Sequence, residues 1–380
     1  MRRRPHRRPA VRPTPIARLL GLVVAASLVA AACGGGGDDN SSDEADSGES
    51  TTSVTDAAAD GSTAEADDDG ADGAGTEAAD DGAETEEATR VVATDFGDFE
   101  VPADPQRVLV LDPVVALPTV LDLGVPVIGT LSTTEGRPPA SMVTEDEWGA
   151  LEVLGTTNAA SVEAVAAAEP DLILLQPNSE EEFLLLAEVA PAVPIVLSNR
   201  WQDDARQVAE AVGRSDEMEQ RLADYQARAD EVGAAIDEAV GDPTVVILRI
   251  RADQIRVHTS VHFAGNILSD VGMRMPEEWV REPLEDPVAN LQQRIERISL
   301  EQLGLLATAD HIIVLVAGTP SQSADEVAAA VDDVLESALW ATLPAVQNDN
   351  VHLADAHWLS GSERAAALAV DDVLGFMTAG

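Results

Sequence analysis

The sequence predicts an α/β protein built as two parallel-sheet lobes joined by a long helix. Three observations carry this. Short aliphatic runs alternate with helical stretches over most of the chain. One helix-to-strand phrase is written twice, "ASVEAVAAAEPDLILL" from Ala160 to Leu175 and "ISLEQLGLLATADHIIVL" from Ile298 to Leu315. Between the copies lies a nearly unbroken helical stretch, residues 203–240. Strands that are apolar throughout and separated by helices belong to sheets covered on both faces.

Ahead of the lobes stands a targeting segment. Residues 1–32 open with a strongly basic run and continue with "LLGLVVAASLVAAA", an apolar stretch of signal-peptide length and short for a membrane span. Cys33 follows at once and is the only cysteine among the 380 residues, so no intramolecular disulfide can form. The stretch resembles a bacterial lipobox, with Ala30 where leucine is usual; the resemblance implies cleavage before Cys33 and a lipid on its sulfur. Residues 33–90 then read as the lipidated cysteine and a disordered acidic tether. Gly, Ser, Ala, Asp and Glu dominate that segment, which has too little apolar surface to offset its ordering entropy, while like charges keep it extended. No EF-hand spacing is present in it. The whole chain carries a formal charge of -46, and its 23 basic residues are all arginine. That balance excludes nucleic acid as a partner, since phosphate binding needs basic surface.

The N-terminal lobe spans residues 91–202. "RVLVL" is a strand bounded by prolines, "ALPTVLDLG" a helix closed by Gly124, and "VPVIGT" the next strand. "SVEAVAAAE", "DLILL", "EEEFLLLAEV" and "VPIVLS" continue the alternation. Connecting helices fill residues 203–240, with Asp216 and Glu219 as a capping pair and an apolar stripe through Leu222, Tyr225, Ala229, Val232 and Ile236. The C-terminal lobe, residues 241–380, restarts with the strand "TVVILRI" and a hairpin return "QIRVH". "HFAGNILSDVG" is helical, and a polar loop is expected from there to about Arg297. The echoed helix "SLEQLGLLAT", the strand "HIIVLV", the strand "NVHLAD" and a closing helix complete the lobe.

Taken in order, "VPADPQRVLVLDP", "LGVPVIG", "SVEAVAAAEPDLILL", "LWATLPAV" and "VHLADAHW" resemble the periplasmic-binding family of iron–siderophore and cobalamin ABC importers. The resemblance covers roughly residues 91–380. It implies two Rossmann-like lobes on a stiff backbone helix, a ligand cleft between them, and a monomer lipid-anchored on the outer face of the cell membrane. It implies as partners an ABC permease with its ATPase, and as ligand a ferric siderophore. No cofactor, resident metal or catalysis is expected. Ser161 and Ser299 are expected helix N-caps, putting Glu163 and Glu301 in equivalent first turns, where the helix dipole favours a carboxylate. The resemblance further implies that these two glutamates dock into arginine pockets of the permease.

Ligands of parallel α/β lobes gather at the loops after the strand C-termini. Those loops offer Asp112, Arg137, Arg200 and Trp201 in the first lobe, and Arg249, Arg251, His258, His262, His357 and Trp358 in the second. Arg249 and Arg251 are two apart and expected on one strand face, a costly place for two cations unless an anion or carboxylate meets them. Siderophore oxygens would do so through charge-assisted hydrogen bonds; acidic neighbours are the plain alternative. Thr156, Thr157 and Asn158 stand where hydroxamate-binding relatives often carry arginine, which counts against a hydroxamate pocket. Cobalamin or haem as cargo, and a ligand-free structural or signalling lipoprotein, are the alternatives. A zinc or manganese receptor is disfavoured because the first lobe has no histidine. No G-x-S-x-G, P-loop or H-E-x-x-H is present to indicate an enzyme.

Overall fold

The structure, a computed structural model, describes residues 88–378 apart from 95, 134–141, 158, 199, 285–286 and 317–323. The targeting segment, Cys33, the tether up to residue 87 and the candidate ligand residue Arg137 lie outside the described residues. A hairpin of β1 (Thr89–Thr94) and β2 (Gly97–Pro102), which the sequence reading passed over, opens the folded part. The first lobe's sheet contains β3 (Val108–Val110), β4 (Val127–Ser132), β5 (Glu152–Thr156), β6 (Ala159–Ala160), β7 (Leu172–Leu175) and β8 (Ala192–Pro194). Its spatial order is β6-β5-β4-β3-β7-β8, parallel except for the short β6. Around it lie α1 (Ala116–Asp122), α2 (Glu145–Gly149), α3 (Val162–Ala167) and α4 (Glu180–Ala187). The chain leaves β3 toward β4 and later returns to β7 on the other side, so the sheet has a switch point at the C-terminal end of β3.

Two helices cross between lobes: α5 (Trp201–Ala211) and α6 (Ser215–Val240). At ~1.5 Å per residue α6 is roughly 39 Å long. It buries one stripe, Met218, Leu222, Tyr225, Ala229, Val232 and Ile236, as the apolar spacing requires. Its N-cap is Arg214, with no side-chain cap, so the expected Asp216–Glu219 capping pair does not form; Glu219 pairs with Arg206 at 2.7 Å instead. Gly241, at φ 76°, ends the helix in a conformation an L side chain resists.

The second lobe's sheet has the order β11-β10-β9-β12-β13, from β9 (Val245–Ile250), β10 (Ile255–His258), β11 (Ile295–Ile298), β12 (His311–Val316) and β13 (Val351–Ala354). It is mixed rather than parallel, because β10 runs antiparallel to both β9 and β11. Its helices are α7 (Phe263–Asp270), α8 (Pro287–Gln293), α9 (Ala324–Leu335), α10 (Pro344–Gln347) and α11 (Glu363–Thr378). Both α8 and β11 lie in the stretch expected to be a polar loop. The echoed phrase also diverges: Val162–Ala167 is α-helical, whereas Leu300–Thr308 winds as 3₁₀ turns.

One hydrophobic core runs through both lobes and their connecting helices, from Val108 and Leu117 through Trp201 and Leu222 to Leu268, Ile313 and Val370. Each fully buried large aliphatic side chain in it contributes about 1.5–3 kcal/mol relative to exposure. A smaller cluster around Leu109, Ile173 and Leu186 seals the other face of the first sheet. The closing helix α11 lies along α6 and reaches back to the first lobe: Arg364 donates to Asp122, Glu147 and the Met142 carbonyl. Among the described residues no helix is long and apolar enough to cross a membrane.

Candidate ligand cleft

A cavity of about 470 Å³ opens at the strand C-termini between the lobes. The first lobe supplies Asp112–Val115 after β3 and Gln176–Asn178 after β7, on either side of the switch point. Trp201 and Asp204 come from the first turn of α5. The second lobe closes the cavity with His262 and Phe263 at the start of α7, Arg294 ahead of β11, and Leu359 and Gly361. Ser360 Oγ donates to the Val114 carbonyl at 2.9 Å, so the two walls are joined at the cavity rim.

The register of the second sheet builds a basic face beside this cavity. Arg249 on β9 stands opposite Arg256 on β10, and Arg256 stands opposite Arg297 on β11. Directly opposed side chains share a face, so three arginines file across three strands. His258 is two residues on from Arg256 and on that same face; its ring centre lies 3.8 Å from that of His262 with the planes tilted by 36°, and His262 lines the cavity. Gln254 Oε1 accepts from both Arg256 Nε at 2.9 Å and Arg297 Nε at 2.8 Å. Burial, then Arg251 and Arg256, lowers the Arg249 guanidinium to about 10, and burial with Arg251 and Arg297 lowers Arg256. Like charges aligned this way repel; Asp253 offsets part of that for Arg249 and Arg256, and a ligand anion would offset more.

The uncharged partners are equally informative. The rings of His258 and His262 are driven toward the neutral form, His258 well below 6.5 and His262 to about 3. Burial is the main cause for both; His262 and then Arg249 and Arg256 add to it for His258, and Arg294, Arg249 and Arg256 for His262. His262 Nδ1 accepts the Ala264 N–H at 3.2 Å as the cap of α7, which leaves the proton of the neutral ring on Nε2. Neither ring nitrogen of His258 has a hydrogen-bond partner among the described residues. Asp204 is buried and accepts the Ser198 N–H at 2.5 Å; burial pushes its carboxyl up to about 7, against the pull of that bond and of Arg294. Asp112 is raised by burial too, while it accepts the Val114 and Val115 N–H groups at 2.9 and 3.2 Å.

The residues singled out from sequence are distributed unevenly. Trp201, 2% exposed, lies in the cavity wall. Arg249 and His258 lie on the basic face. Arg251 does not share that strand: β9 ends at Ile250, and Arg251 opens the hairpin turn, 3.4 Å from Asp253, beside a separate 220 Å³ hollow. Arg200 pairs with Asp270 at 3.0 Å rather than facing the cavity. His357 and Trp358 turn inward, sharing Asp372 at 2.8 and 2.9 Å; Trp358 is fully buried, and neither lines the cavity. The 3₁₀ turn Ala356–Leu359 sends the indole into the core and leaves Leu359 to the cleft. Glu163 is exposed in the first turn of α3, whose cap Ser161 accepts the Ala164 N–H at 3.2 Å. Glu301 is exposed in the 3₁₀ run, its carboxyl lowered chiefly by the Ser299 hydroxyl. Arg256, Arg294, Arg297 and Asp204 were missed. Arg256 was within reach, since a hairpin return of "TVVILRI" places it opposite Arg249.

The model of the periplasmic binding protein family matches residues 114–357. This chain belongs to that family. Its members are binding proteins. A probable siderophore-binding lipoprotein of Bacillus subtilis, YfiY, is 26% identical over 290 residues, covering 75% of this chain and 86% of its own. The Fe(3+)-citrate-binding protein YfmC of the same organism is 23% identical, covering 70% and 78% respectively. Staphylococcus aureus SirA, solved with staphyloferrin B, shares the fold with a TM-score of 0.64 at 24% identity, covering 76% of this chain and 98% of SirA. A further relative, YhfQ of Bacillus subtilis, is named as an ABC transporter substrate-binding lipoprotein. Among the described residues no three His, Cys, Asp or Glu gather where they could hold a metal ion.

Proposed function

We propose that the chain is the substrate-binding lipoprotein of an ABC importer and captures an anionic ferric siderophore in the interlobe cleft. It is held at the outer face of the cell membrane through Cys33 and hands its ligand to the permease by way of Glu163 and Glu301. The observation that carries the ligand class is the arginine file Arg249–Arg256–Arg297, with Arg294 in the cavity wall, beside histidines kept neutral. Ferric complexes of catecholates or α-hydroxycarboxylates present several anionic oxygens, which guanidinium forks match in charge and geometry. The relatives named for siderophores and ferric citrate support the same reading. Delivery needs no chemistry on the ligand: loading settles the lobes around it, and the exposed glutamates present the loaded face.

The test is tryptophan fluorescence, because Trp201 reports from the cavity wall. The protein is titrated with ferric catecholate, carboxylate and hydroxamate siderophores, cobalamin and haem, with correction for absorption. Saturable quenching by an anionic ferric class is expected. Saturation only with cobalamin or haem would replace the cargo, and silence across the panel would leave the ligand-free lipoprotein as the better account.

A further inference from the structure

Asp270 is the last residue of α7, and its side chain is 3% exposed. A carboxylate at a helix C-terminus faces the negative end of the dipole, and burial adds a desolvation cost. Something must offset both. Four donors do: Arg200 Nη2 at 3.0 Å on one oxygen, and Trp201 Nε1 at 3.2 Å, Gln202 Nε2 at 2.9 Å and the Tyr225 hydroxyl at 3.0 Å on the other. Three of these are consecutive residues where the chain enters α5, and the fourth sits on α6. The single carboxylate therefore fastens a helix of the second lobe to both connecting helices at once.

The same contacts govern the cleft. Trp201 lines the cavity, and its indole N–H is held by Asp270 while its ring meets Tyr225 edge-on at 4.8 Å and 86°. Its backbone N–H donates to Asn266 Oδ1 at 3.4 Å, one turn back along α7. The opposite end of α7 carries His262 and Phe263 into the cavity wall. So α7 touches the ligand space at its first turn and is pinned at its last. We propose that Asp270 is a positioning residue of the cleft, fixing α7 against α5 and α6 so that the angle between lobes and the seat of Trp201 are set before any ligand arrives. The lobes remain joined without it, because Arg364 still bridges α11 to Asp122 and Glu147. Loss of Asp270 thus loosens the hinge and does not separate the lobes. The tie needs no ligand; its consequence for delivery rests on the function proposed above.

The test reads the lobe angle directly. In the chain carrying Cys33→Ser, Glu163→Cys and Glu301→Cys introduce two exposed thiols, one per lobe, for nitroxide labels. Dipolar electron paramagnetic resonance gives the distance distribution with no ligand present. The parent is expected to show one narrow distance. Asp270→Ala, and the near-isosteric Asp270→Asn, are expected to broaden it at least twofold, with Tyr225→Phe intermediate. Cooperative thermal unfolding of each variant confirms that it is folded; if Asp270→Ala is not, Asp270→Asn and Tyr225→Phe decide. Folded variants with the parent's distribution would overturn the proposal and reduce Asp270 to core glue. Broadening in a protein that binds none of the siderophores would uphold the hinge role and sink the cargo instead.

Discussion

Asp204→Asn should stabilise the protein, and only above mildly acidic pH. The carboxyl is 5% exposed in the cavity wall, and burial moves it from 3.8 to about 7. A carboxyl that binds its proton more tightly when folded costs nothing while both states are protonated, below about pH 4. Stability then falls as pH rises from about 4 to about 7 and stays reduced above that. At ~1.4 kcal/mol per pH unit the full cost is about 4 kcal/mol. Asparagine keeps an oxygen to accept the Ser198 N–H and carries no charge to desolvate. The attraction of Arg294 is already contained in that figure, because the value of about 7 is reached against it. The net expectation is equal stability at pH 4 and a variant about 4 kcal/mol more stable at pH 8. Urea unfolding of both proteins, followed by circular dichroism at half-unit steps, measures the difference. A difference that does not change with pH, or a wild type that is the more stable at pH 8, would refute the burial argument.

Three further outcomes follow from named contacts. Arg364→Ala takes the guanidinium from Glu147 and leaves Asp122 only the longer pair with Arg221 at 3.8 Å, and should cost about 2 kcal/mol at pH 7. Because Arg364 holds the Glu147 carboxyl down at about 2, the Glu147 share of that cost should be present above about pH 4.5 and fade as pH falls toward 2 in acid-unfolding curves. Gly265→Ala puts a methyl 2.2 Å from the Thr259 carbonyl oxygen, so a loss of about 1–3 kcal/mol in thermal or urea unfolding is expected. Trp358→Phe removes the indole N–H from Asp372 and should cost about 2 kcal/mol, while ligand affinity by calorimetry stays unchanged, since the side chain lies in the core.

The alternation of aliphatic strands and helices was legible because the central strands of both sheets are buried and read as nearly continuous apolar runs. The long stripe from Leu222 to Ile236 was legible for the same reason, and α6 buries it. What the sequence hid depends on register. Arg251 looked like Arg249's companion at spacing two, but the strand stops one residue short of it, and the companions arrive from β10 and β11. β11 itself, "IERI", is a four-residue edge strand with two charged residues, too short and polar to signal a strand alone. The echoed serine–glutamate phrase puts Glu163 and Glu301 in first turns, where the fold has them, but does not show the helix type. "SLEQLGLLAT" has a glycine at its centre, and 3₁₀ turns take its place. Trp358, an aromatic in a loop after a strand, reads as ligand-facing, whereas the fold buries its ring and gives its N–H to the half-exposed Asp372.

The central claim is that the arginine file reads an anionic ferric complex. Calorimetric titration with the ferric siderophore that binds best, before and after Arg256→Ala, tests it most directly. Arg256 is the middle of the file, so its loss should weaken binding at least tenfold, about 1.4 kcal/mol, with a shallower salt dependence and an unchanged urea midpoint. Unchanged affinity and salt dependence in the folded variant would contradict the account and place the ligand elsewhere.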